Sequence, residues 1–320
     1  MRALICADAV RAALRPVSLR PEEVIDVLGS CLDGDEVYLV GSLAAGLGNA
    51  GSDVDLHVFV RERAEGVVPM LFFAGRTRLD LVHYETGTPS AALARTPTRN
   101  VALLDGRCAL GPLPPMTDLK RLSRWATSVP LYEGTPPIFT PEETARIAAA
   151  LVRLAIDVAV RAAALASVMA AARAPLAGLA WSRAAEAAVE AAVRARGEIF
   201  VGDKWLPAKA RRSGFPSPLL ADARRVASAT DFDRFTGRLG LPLRDPAELV
   251  RLTPTEAPDF TFGETTFQLV GEYLLHRLDL PSESLNDALK TLDASSLAEA
   301  ITHGAVTLAT DPAEVDGRLA

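Results

Sequence analysis

VGSLAAGLGNAGSDVDLHVFV, residues 40–60, is the stretch whose reading decides the fold. From Asp53 to Val60 apolar and polar residues alternate, so Val54, Leu56, Val58 and Val60 share one face of a strand. Asp53, Asp55 and His57 fall on the other face. Just upstream, Glu36 to Val40 (EVYLV) is a short β-rich run that delivers Gly41 and Ser42 at its end. Ten residues then separate Ser42 from Asp53. The span from Gly41 to Ser52 holds four glycines and reads as irregular, with room for a helical turn from Leu43 to Leu47. Two carboxylates this close on one strand face repel unless a cation lies between them. Magnesium suits the place, because it accepts one or two carboxylates and keeps sites for phosphate oxygens. The Gly41-Ser42 pair offers phosphate a close backbone approach, N–H donors and a hydroxyl.

Working outward, Pro21 to Leu32 reads as a helix, with Pro21 in its first turn and Glu22 and Glu23 favouring its N-terminus, broken at Asp33-Gly34-Asp35. Met70 to Ala74 and Thr77 to Tyr84 are two further β-rich runs, joined at Gly75-Arg76 as a hairpin. The second carries Asp80, on a strand able to pair beside the Asp53–Asp55 strand. Asp80 would complete a metal cage, orient an acceptor hydroxyl, or take its proton. Glu85 is a nearby rival for that role. Val101 to Leu104 reads as one more short strand, and Pro112, Pro114 and Pro115 mark a boundary near residue 115.

From Thr117 onward the chain reads as mainly helical. Pro141 to Ala172 and Leu179 to Arg196 are long Ala-, Val- and Leu-rich segments of a bundle, read as buried helices of a soluble protein because charges interrupt them. Glu264 to Leu278, Pro281 to Leu289 and Ser295 to Thr302 read as three shorter helices, closed by a strand from Ala305 to Leu308. The expected organisation is therefore an α/β (α+β) domain over 1–115, a helical domain over 116–245, and a small, mostly helical C-terminal region over 246–320.

Composition narrows the function classes. The chain has 320 residues, of which 49% are hydrophobic, enough for a sizeable core. Its formal net charge is −6, which disfavours a long phosphate backbone as partner. Cys6, Cys31 and Cys108 are widely spaced and form no CxxC pair, so neither a zinc knuckle nor a disulfide framework is indicated. A reducing cytoplasm fits that usage. The N-terminus is too short in apolar run and too charged for a signal peptide or membrane span. Asn286 to Lys290 lacks the basic character of a recognition helix, so the C-terminal region is read as a packing or dimerisation piece.

The constellation Val40-Gly41-Ser42, Asp53-Val54-Asp55-Leu56, Asp80 resembles the nucleotidyltransferase superfamily that includes DNA polymerase beta. It looks most like the adenylyltransferases that modify aminoglycoside antibiotics, over about residues 21–115. The resemblance implies two magnesium ions, ATP or another NTP as donor, pyrophosphate release, and a helical second half that contacts the acceptor. It implies catalytic and metal-binding roles for Asp53, Asp55 and Asp80, and nucleotide contacts for Gly41, Ser42 and Ser52. Lys204, in GDKWLPAKARR (202–212), is similar to a Lys-Trp pair of such enzymes and would neutralise the triphosphate. His57 reads as a structural hydrogen-bonder; Arg76 and Arg78 flank the third acid and could meet a phosphate, though hairpin arginines are usually solvated. The expected reaction is AMP transfer to a hydroxyl of a small molecule. Transfer to tRNA or protein, as in toxin-like relatives, and a non-catalytic nucleotide sensor are the alternatives.

Overall fold

The computed structural model describes residues 8–32, 36–61, 69–96, 116–241, 243–262, 265–280 and 284–310. Contacts divide them into two compact units. One takes the residues up to 96, 116–151 and 197–209; the other takes 152–196 and 210–310.

The first unit opens with two short helices, α1 (Asp8–Leu14) and α2 (Pro21–Leu28). Pro21 starts α2, and the Glu23 carboxylate accepts the Arg20 backbone N–H at 2.8 Å, satisfying a donor that the first turn leaves free. A 3-10 turn continues to Leu32. Then come β1 (Glu36–Val40), a single helical turn α3 (Gly41–Ala44), β2 (Val54–Val60), β3 (Met70–Ala74) and β4 (Thr77–Glu85). Helix α4 (Thr88–Ala94), helix α5 (Met116–Ala126) and the two-residue strand β5 (Val129–Pro130) complete this part. The strand from Val101 to Leu104 and the boundary near 115, both expected from the sequence, lie outside the described residues.

Five strands form one mixed sheet in the order β3-β4-β2-β1-β5. β1 and β2 run antiparallel with Val40 opposite Asp55. β2 and β4 run parallel with Asp55 opposite Asp80. The β3–β4 hairpin turns at Gly75, whose positive φ of 60° a glycine adopts freely. Val54, Leu56 and Val58 of β2 are fully buried in a core that includes Val10, Leu14, Val24, Leu28, Leu79 and Leu81. The opposite face of β2 is solvent-shielded too. His57 and Phe59 are buried there against Trp125 of α5, at ring-centroid distances of 6.3 and 6.0 Å. The alternation correctly marks one apolar face; the other is closed by a helix the strand pattern cannot foresee.

Helix α6 (Pro141–Ala171) begins with a reciprocal cap: Thr140 N–H donates to the Glu143 carboxylate at 2.9 Å, and Glu143 N–H to the Thr140 hydroxyl at 3.2 Å. Its residues up to 151 belong to the first unit and the rest to the second. In the second unit, α7 (Ala177–Ala195) packs against α9 (Leu219–Ala223) and α10 (Ala229–Leu239), α8 (Leu206–Arg212) having intervened in sequence. Ala184, Ala185, Ala188 and Ala191 are fully buried, and Trp181 meets Phe232 with ring centroids 5.5 Å apart.

The C-terminal region differs from the sequence reading. β6 (Val250–Pro254) pairs with β10 (Val306–Thr310), and β7 (Asp259–Phe262), β8 (Thr265–Val270) and β9 (Tyr273–His276) form a separate antiparallel sheet. Glu264 to Leu278, expected as a helix, therefore contains two strands. Thr265, Thr266, Phe267 and Val270 favour a pleated surface, and Gly271 at φ 60° makes the turn between them. Helices α11 (Leu285–Thr291) and α12 (Ala294–Thr302) and the closing strand follow as expected.

Candidate active site

The end of β1 and the start of β2 bring the Gly41 turn over the carboxylates. Gly41 has φ 77°, and a Cβ built on it would lie 2.1 Å from Asp55 Oδ2. No side chain fits between that turn and the acid. Ser42 follows in α3 and lines a cavity of about 580 Å³ together with Asp53, Asp55, His57, Arg78, Asp80, Arg124, Lys204 and Trp205. Every one of these residues belongs to the first unit.

The sheet register explains the convergence. Asp55 is the second residue of β2 and Asp53 immediately precedes the strand, and both face the cavity. Asp80 is directly opposite Asp55 on the parallel neighbour β4. Burial raises the Asp55 pKa above the ordinary carboxylate value; Arg124 opposes this, and Asp80 and Asp53 add to it. The Arg78 guanidinium reaches across: Nη2 lies 2.7 Å from Asp53 Oδ2 and donates to Asp80 Oδ2 at 2.8 Å.

His57 continues the same strand face. The Trp125 indole N–H donates to His57 Nδ1 at 2.8 Å, so Nδ1 is an acceptor and the proton of the neutral ring is on Nε2. Burial, with the charges of Arg124 and Arg121, holds the His57 pKa down to about 3, so the ring is neutral at ordinary pH.

The stretch before α8 supplies the far wall. Phe200 N–H donates to the Glu198 carboxylate at 2.9 Å within the stretch, and Val201 N–H donates to the Ser123 hydroxyl at 2.8 Å, which pins it to α5. Lys204 Nζ stands 5.2 Å from the centroid of the Trp205 ring. Five of the residues singled out from sequence, Ser42, Asp53, Asp55, Asp80 and Lys204, thus line one cavity. Gly41 stands directly against Asp55. Ser52 is not among the lining residues; its hydroxyl accepts the Asn49 N–H at 3.0 Å and closes the loop ahead of β2.

Sequence reasoning missed Arg124 altogether, since its helix carries no local signal of approach to the acids. Arg78 carried a signal that was underused: two residues before Asp80 on a strand, it shares that face.

Among the described residues, no group of three or more His, Cys, Asp or Glu side chains is arranged to hold a metal ion. Asp53 and Asp80, both expected from the sequence to face a metal, are each paired with Arg78. The donor set nonetheless suits a hard divalent cation: two oxygen-bearing side chains on one strand face, a third across from them, and a cationic group already drawn between two of the three.

The site thus consists of Asp55 on β2, Asp53 just ahead of it, Asp80 on the parallel neighbour β4 and the Gly41 turn against Asp55. Residues 22–88 match the family model described as nucleotidyltransferase domain, and this part of the chain is such a domain, of the nucleotidyltransferase superfamily. No curated protein matches the chain.

Proposed function

We propose that the protein transfers a nucleoside monophosphate, AMP from ATP, to a hydroxyl of a small molecule with release of pyrophosphate. The observation that carries this reading is the convergence of Asp53, Asp55 and Asp80 on one cavity beneath the Gly41-Ser42 turn.

In this reading Asp53 and Asp55 would hold magnesium, which supplies charge neutralisation for the triphosphate. Ser42, Arg124 and Lys204 face the same cavity and offer the phosphates a hydroxyl and two cationic donors. Trp205 beside Lys204 offers a flat apolar surface for the base or the acceptor ring. Asp80 would join them as a third carboxylate at the metal, and it takes the acceptor's hydroxyl proton on its other oxygen. The acceptor oxygen then bonds to the α-phosphorus, and the bond from that phosphorus to the β-phosphate oxygen breaks. Positioning and charge complementarity carry most of the rate.

The small-molecule acceptor is supported by charge. The chain is acidic overall, and the exposed arginines near α9 and α10 are taken up in ion pairs: Arg225 and Arg238 with Asp222, Arg234 with Asp231.

Pyrophosphate release from ATP with magnesium and a panel of hydroxyl-bearing acceptors tests the reading. Asp53→Asn is expected to lower turnover by about 100-fold or more while circular dichroism stays unchanged. Retained turnover in Asp53→Asn overturns the assignment, and triphosphate binding without release by the unaltered protein indicates a sensor instead.

A further inference from the structure

We propose that Arg78 is an internal counter-ion that occupies the cation position between Asp53 and Asp80 until the triphosphate arrives, and that it thereby makes divalent-metal binding depend on the nucleotide. This inference rests on the nucleotidyltransferase reading above.

One nitrogen, Nη2, lies within 3 Å of oxygens of two carboxylates, Asp53 Oδ2 at 2.7 Å and Asp80 Oδ2 at 2.8 Å. It neutralises two of the three acids that would hold a divalent cation. An ordinary surface ion pair would be the bland explanation, since the Arg78 side chain is 46% exposed. Three features set it apart. Asp80 lies on β4 directly opposite Asp55, Asp53 immediately precedes β2, and all three line one cavity. Arg78 bridges both rather than pairing with one. Its backbone is fixed in β4, with Phe73 opposite on β3, so only its long side chain is free to move.

A guanidinium and a divalent cation on the same carboxylates repel, so each weakens the binding of the other. Arg78 held between Asp53 and Asp80 therefore opposes metal, and its departure favours it. A guanidinium released into this cavity, beside Arg124 and Lys204, suits a triphosphate: planar, charged and able to bind two oxygens at once. The nucleotide then draws Arg78 off the acids as it brings in metal. Metal and triphosphate binding become positively coupled, and the coupling is reciprocal. Without nucleotide the acids stay masked.

Manganese stands in for magnesium in the test, since its free form is counted by electron paramagnetic resonance. The full-length protein, Arg78→Gln, Arg78→Lys and Asp53→Asn are each titrated with manganese, with and without a non-hydrolysable ATP analogue. The unaltered protein is expected to bind manganese weakly alone and about tenfold more tightly with the analogue. Arg78→Gln is expected to bind manganese alone about tenfold more tightly than the unaltered protein, and to gain less from the analogue. Arg78→Lys restores the weak binding, because the charge between the acids returns. Unchanged or weaker manganese binding by a folded Arg78→Gln overturns the counter-ion role. Asp53→Asn separates the two readings. If it removes manganese binding while Arg78→Gln has no effect, the active-site reading stands and only the counter-ion falls. If manganese binds Asp53→Asn as before, the metal site itself is wrong and both readings fall.

Discussion

Gly41 is the position where one atom decides most. Its φ of 77° lies in the left-handed region, and a methyl group there would sit 2.1 Å from Asp55 Oδ2. Gly41→Ala therefore combines backbone strain of about 1–2 kcal/mol with displacement of the carboxylate. A displacement of about 1 Å at a reacting centre costs on the order of 100-fold in rate. The expected outcome is a folded protein with a lowered melting temperature and pyrophosphate release reduced on that scale. Turnover equal to that of the unaltered protein would show that Asp55 is not held against the turn. Gly75 also has a positive φ but nothing within 4 Å of a built Cβ, so alanine there would strain only the hairpin.

Among elements, the contact of β2 with α5 is the one that turns an amphipathic strand into a buried one. Its polar centre is the Trp125–His57 hydrogen bond, with the Tyr84 ring tilted against His57 at 4.8 Å and edge-on to Trp125 at 5.3 Å between centroids. Trp125→Phe keeps an aromatic ring but leaves buried His57 Nδ1 without its donor. The expected loss is about 1–3 kcal/mol in urea denaturation, the cost of an unsatisfied buried polar group. His57→Phe in the same background removes the orphaned atom, so the double variant is expected to lose less than the two single losses added together. Strict additivity would mean the hydrogen bond contributes nothing. The same contact brings Arg124 of α5 to Asp55, so this packing also sets the charge at the site.

At the scale of the molecule, the chain leaves the first unit in α6 and re-enters it at 197–209. That return brings Lys204 and Trp205 to a cavity whose acids lie well over a hundred residues earlier in the sequence. Ser123 fastens the returning stretch by accepting Val201 N–H. Ser123→Ala removes a hydrogen bond worth about 1 kcal/mol, a few-fold in affinity. Calorimetry with a non-hydrolysable ATP analogue is expected to show that weakening, with manganese affinity in the absence of nucleotide unchanged. Equal weakening of both would place the returning stretch in the metal site rather than along the phosphates.

The sequence by itself determined the features that depend on near neighbours in the chain. The two-residue spacing of Asp53 and Asp55, the alternation of β2, the glycine after β1 and the β3–β4 hairpin follow from local backbone geometry, which a short stretch encodes. Asp80 was legible as a candidate because it lies on the next apolar strand. Local signals misled where periods overlap: Glu264 to Leu278 has apolar residues that suit either repeat, and its β-branched and aromatic residues settled it as strands. Only the tertiary structure decided the parallel register that sets Asp55 against Asp80, the reach of Arg78 between Asp53 and Asp80, the closure of His57 and Phe59 by α5, and the return of Lys204. These depend on which surfaces bury each other across long loops. A strand or helix carries the same local pattern whichever partner covers it, so the partner, and the charge it brings, is fixed only when the core closes.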